Sequence, residues 1–103
     1  MIEPKTEKLI EKWCPDDRKT ELRMLMENQC TATAFHFDEN FHDLLERVQL
    51  AIIRDSSWVT DLIQQRIQRD SVDFRDLLMA RGFGELEAHT RWWKEAIATG
   101  KID

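Results

Sequence analysis

The chain has 103 residues, enough for one domain and not two, and its 42% hydrophobic and 34% charged residues are the composition of a folded domain, not a disordered segment. Three glycines and two prolines leave few tight turns, which argues against a small all-β fold, and a formal net charge of -5 works against a general role on phosphate backbones. The longest wholly apolar run, Leu50-Ala51-Ile52-Ile53, is far too short to span a bilayer and the first residues carry no signal peptide, so a cytoplasmic protein with two free thiols, Cys14 and Cys30, is expected.

Apolar spacing predicts a first helix from about Glu3 to Trp13, with Leu9, Ile10 and Trp13 on one face. Glu3, Glu7 and Glu11 form one flanking stripe and Lys5, Lys8 and Lys12 another. Such stripes are usually solvated, and a docking surface is the functional alternative. Cys14-Pro15 ends this helix, because a residue before proline is pushed out of the helical region. Pro15-Asp16-Asp17 suits a new helix start, with Leu22, Leu25 and Met26 buried in a helix running to about Asn28. Cys30 to Phe37 reads as a loop or short helix. Asp38 is the expected N-cap of the strongest helix, Glu39 to about Arg54. Phe41, Leu44, Leu45, Val48 and Ile52 make its apolar stripe, and Leu50 and Ile53 widen it, as a central helix requires.

A short internal repeat follows. Ile52 to Ile63 recurs fifteen residues later as Ile67 to Leu78, with six of twelve positions identical in the pattern Ile-x-Arg-Asp-Ser followed by Asp-Leu-apolar. The expectation is that a helix ends, Ser starts the next one, and the step is repeated. Ser56 or Ser57 then caps a helix burying Val59, Leu62, Ile63 and Ile67, and Ser71 caps a shorter one burying Phe74, Leu77 and Leu78. A single bent helix through Asp55 or Asp70 is the alternative. Gly82-Phe83-Gly84 ends the second step, and a last helix runs from about Glu85 to Thr99, with Leu86, His89 or Thr90, Trp93 and Ile97 on one side.

Chemical motifs are sparse. Cys30, His36 and His42, near Glu39, Asp43 and Glu46, contain one Glu-x-x-His, whereas a di-iron bundle needs two plus two further carboxylates; no metal or other cofactor is expected. The chain has no Gly-x-Ser-x-Gly, no phosphate-cradling glycine loop and no His-Glu-x-x-His, so an enzyme is not expected. Ala80, Gly84 and Trp93 have the spacing of a helix-turn-helix, which would present His89, Arg91 and Lys94 to DNA. Glu85 and Glu87 sit where phosphates would lie, and no basic footprint accompanies them.

Trp92 and Trp93 diverge by about 100° around a helix, so one core cannot take both. Trp92, Trp93, Arg91 and Phe83 are therefore the expected interface residues. Together these readings predict one all-α domain, a compact bundle of five or six short helices. The expected function is a non-catalytic protein-binding module: an adaptor, a small subunit, or an acidic inhibitor or immunity-type protein. Its partner is expected to be another protein with a basic surface, or a second copy bound through the C-terminal helix. A helix-turn-helix regulator is the alternative.

Overall fold

A computed structural model describes the whole chain apart from positions 36, 38–40, 72, 86 and 103. The described residues form six α-helices and no strand: α1 Pro4–Trp13, α2 Lys19–Gln29, α3 His42–Ser56, α4 Thr60–Asp70, α5 Phe74–Ala80 and α6 Ala88–Thr99. The expectation of an all-α bundle therefore holds. Pro4 opens α1, where its missing N–H is not needed, and Cys14-Pro15 closes it with both residues extended. Asp16–Arg18 make one 3-10 turn before α2 begins. The Asp38 cap, the Glu39 helix start, His36 and Leu86 lie outside the described residues.

The two copies of the repeat are separate helix steps. The Ser caps are not what separates them. Ser56 is the last residue of α3, and its Oγ donates back to the Ile52 carbonyl one turn earlier. This local bond competes with helix continuation instead of starting a new helix. Ser57 and Trp58 then take positive φ, of 49° and 66°, and turn the chain into α4, which has no side-chain cap. Ser71 likewise donates to the Gln68 carbonyl at the end of α4, and Asp73 supplies the N-cap of α5 by accepting from Arg75 N–H. After α5, Gly82 at φ 76° lets Phe83 N–H reach back to the Leu78 carbonyl at 2.7 Å. The last helix begins at Ala88, three residues later than its apolar pattern implied, after Glu87 in the left-handed region.

Helix α3 is central. It packs on α1, α4, α5 and α6, while α1 pairs with α6 and α2 with α4. Val48, Leu50, Ala51, Ile52 and Ile53 are all fully buried, so no side of α3 in this stretch faces water. Gln49 is also fully buried, in the middle of that run. Its Oε1 accepts from Glu3 N–H at 3.0 Å, and its Nε2 donates to the Met1 and Cys30 carbonyls at 2.9 and 3.3 Å. This one amide ties the start of α1 and the end of α2 to the centre of the core, with its bonding capacity largely met. The Cα radius of gyration, 12.2 Å, is that of a close-packed chain of this length.

Candidate functional site

Helices α1 and α6 lie side by side and join two features that the sequence keeps apart. The Lys stripe of α1 meets Trp93 of the C-terminal helix and Trp13 of α1 itself. Trp93, half-buried, donates from Nε1 to the Lys5 carbonyl at 2.8 Å, and the ammonium groups of Lys5 and Lys8 stand 5.9 and 5.8 Å from its ring centroid. At the other end of the pair, Trp13 donates to the Ile97 carbonyl at 2.9 Å, with Lys12 Nζ 5.6 Å from its ring. Gly100, at φ 77°, passes so close that an added Cβ would lie 2.8 Å from the Trp13 ring. Trp13 was expected to point inward; it keeps 37% of its surface exposed, because its indole N–H bonds a carbonyl at the rim of the bundle.

The charges on α1 are sorted by side. Glu7 and Glu11 face α2, where Arg23 bridges both. The Arg23 hydrogen bond, with smaller help from the charge of Lys19, holds the Glu11 carboxyl below the usual glutamate value. Lys8 and Lys12 form no ion pair among the described residues, and Lys5 reaches one acid, Glu46, at 3.4 Å. The α1–α6 face is therefore basic on an acidic protein, with two indole rings set among its ammonium groups. Amine-on-ring contacts of this kind contribute about 0.5–1 kcal/mol each at exposed sites.

The expected interface residues divide. Trp92 is half-buried against Phe83, with ring centroids 5.3 Å apart, and Arg54 stacks over both rings. Phe83 is 1% exposed, so it supports Trp92 from beneath and offers no surface. Arg91 and Lys94 are exposed. His89 is corrected most sharply: it is 2% exposed and points inward, with Nε2 2.8 Å from Glu46 Oε2. A buried, acid-paired imidazole cannot read a DNA groove. Moreover, α5 packs on α3 and α4 while α6 packs on α1 and α3, which is not the mutual packing of a helix-turn-helix pair.

Cys14 and Cys30 are both free and buried. Burial raises both thiol pKa values, and that of the wholly enclosed Cys30 is far above the range where a thiolate forms. His42 is exposed and bonds Glu3 through Nδ1 at 2.9 Å. Cys30 and His42 are thus taken up separately.

No family model, curated protein or solved structure matches this chain. No helix among the described residues is long and apolar enough to cross a membrane.

Only part of this face could be read from sequence. The Lys stripe and the adjacent tryptophans were visible as separate patterns, but the contact between first and last helices spans more than eighty residues of chain and carries no local signal.

Proposed function

We propose that this chain is a non-catalytic protein-binding module that holds an acidic, apolar-bearing segment of a partner against the α1–α6 face. The observation that carries this reading is the placing of Lys8 and Lys12, unpaired among the described residues, over the rings of Trp93 and Trp13. Net charge alone favours a basic partner. Local charge outweighs it at contact, because screening limits distant charges to a range of about 10 Å at 0.1 M salt. On this face the acids of α1 are turned away and engaged by Arg23, so a partner meets ammonium groups and indoles.

The test uses a fluorescein-labelled probe peptide of alternating Glu and Leu blocks, a matched Lys peptide and a labelled single-stranded oligonucleotide. The acidic peptide should bind with salt-sensitive affinity and the Lys peptide should not. Lys8→Glu with Lys12→Glu should weaken binding at least tenfold while the helical content stays that of the wild type. Preference for the Lys peptide, or wild-type affinity in the double variant, would contradict the reading. Tighter binding of the oligonucleotide than of the acidic peptide would replace it with a nucleic-acid role.

A further inference from the structure

On the far side of Lys5 from Trp93 lies a second cluster, with different chemistry. Asp43 and Glu46 are three residues apart on α3, which sets them on one face of the helix. The first turns of α6 bring His89 to the same place. One ligand atom from each of the three residues lies within 4.8 Å of the other two. We propose that Asp43, Glu46 and His89 form a binding site for one divalent transition-metal ion of the zinc class.

The geometry is nearly sufficient. Around an ion with bonds of about 2.1 Å, neighbouring ligand atoms stand roughly 3.0–3.4 Å apart. His89 Nε2 and Glu46 Oε2, at 2.8 Å, need to part only slightly. Asp43 has the larger distance to close, and its side chain is 54% exposed in the first turn of α3, so it can swing.

Two observations besides the carboxylates favour an ion. The first is His89, a buried imidazole whose close hydrogen bond lies inside the cluster, to Glu46. Thr90 Oγ1 is a distant 3.5 Å away, and its Nδ1 is buried with no partner among the described residues. Nothing outside the cluster fixes which nitrogen of this ring carries the proton. The second is that the cluster already draws cations. Lys5 Nζ stands 3.4 Å from Glu46 Oε1, and Arg47 Nη2 stands 2.9 Å from Asp43 Oδ2. The same Lys5 Nζ stands 5.9 Å from the Trp93 ring centroid, so it need not lose all its contacts if an ion displaces it from Glu46.

The donor set selects the metal class. An imidazole with two carboxylates suits zinc, nickel or iron(II), whereas magnesium and calcium favour all-oxygen shells. Affinity should be modest. Binding at Nε2 moves the proton to an unpartnered Nδ1, and lack of an outer hydrogen bond costs about 10–100-fold in metal affinity.

Isothermal titration of Zn2+ into chelator-treated protein tests the site. The expected result is one ion per chain, weakened at least tenfold in Asp43→Asn and lost in His89→Gln. His36→Gln and His42→Gln should match the wild type, and millimolar Mg2+ should not compete. Asp43 is exposed, so its variant tests the site even if His89→Gln fails to fold. No binding, wild-type affinity in Asp43→Asn, loss in either histidine control, or displacement by Mg2+ would each overturn the proposal.

Discussion

Two regions of this molecule are rich in charge, and they use it in opposite ways. At the junction of α3, α4 and α5 the charges close on one another. Asp55 Oδ2 lies 2.6 Å from Arg66 Nε and 3.5 Å from Arg69, and Oδ1 lies 3.5 Å from Arg81. Arg69 also makes a two-pronged pair with Asp70 at 2.9 and 3.1 Å, and that pairing raises the pKa of its guanidinium. Arg54 donates to the Arg81 carbonyl at 2.8 Å and stacks over Phe83. On the α1–α6 face the charges stay open: among the described residues Lys8 and Lys12 meet aromatic rings and no acid. The first arrangement explains the repeated Arg-Asp, whose two copies meet in space and hold the repeated helix steps together. The second leaves two ammonium groups without a counter-charge among the described residues. Charge density alone therefore does not distinguish the two regions; unbalanced charge beside a part-exposed ring does, and the proposed binding role rests on that difference.

Breaking the closed network should have the largest effect. Asp55→Ala removes the shared counter-charge of three guanidiniums, and the Nε atoms of Arg66 and Arg81 are already buried without an aligned hydrogen bond. A loss of about 2 kcal/mol is expected in urea unfolding, since Asp55 is shared by three guanidiniums that are themselves 29–54% exposed and partly hydrated once it is gone. Binding of the acidic peptide by the folded fraction should not change. Next comes Gly100→Ala, which sets a Cβ against the Trp13 ring in a left-handed backbone. It should cost about 1–2 kcal/mol and shift tryptophan emission to the red as Trp13 is displaced.

Charge reversal at Lys8 and Lys12 sharpens the comparison from the other side. Stability should fall by about 1 kcal/mol, the loss of two amine-on-ring contacts, while peptide affinity falls tenfold or more. The smallest effect is that of acid on the α1–α2 clamp. Glu11 is held below its unfolded value mainly by its hydrogen bond to Arg23, so its contribution is present above the ordinary glutamate range and is lost as pH falls through that range and below. A shallow decline in melting temperature on acidification, diminished in Glu11→Gln, is the expected trace. Both thiols should stay inert to a disulfide reagent until the protein unfolds, because burial keeps them protonated.

The helices were legible because apolar spacing and proline and glycine punctuation are local. Leu9 with Ile10, Leu22 with Met26 and the run from Val48 to Ile53 are all where periodicity put them. The caps were less legible. Ser56 and Ser71 carry the right side chain for starting a helix, yet each bonds backward, and only the turn geometry decides which way a hydroxyl reaches. The interface residues were legible as a composition and not as a placement. Phe83, in the expected turn, faces inward toward Trp92, and His89, one of two residues expected on the packed side of the last helix, is taken by Glu46; the tertiary partners decide both. Gln49 could have been noticed as a polar residue inside an unbroken apolar run, although its three backbone partners are spread over Met1, Glu3 and Cys30.

The most direct measurement is a nitrogen–proton correlation spectrum of the full chain, titrated with the acidic peptide at low and high salt. Shifts confined to α1, α6 and the Trp13 and Trp93 indole N–H signals, fading as salt rises, are expected. Shifts centred on α4 and α5 around Asp55, or shifts indifferent to salt, would contradict the proposed binding face.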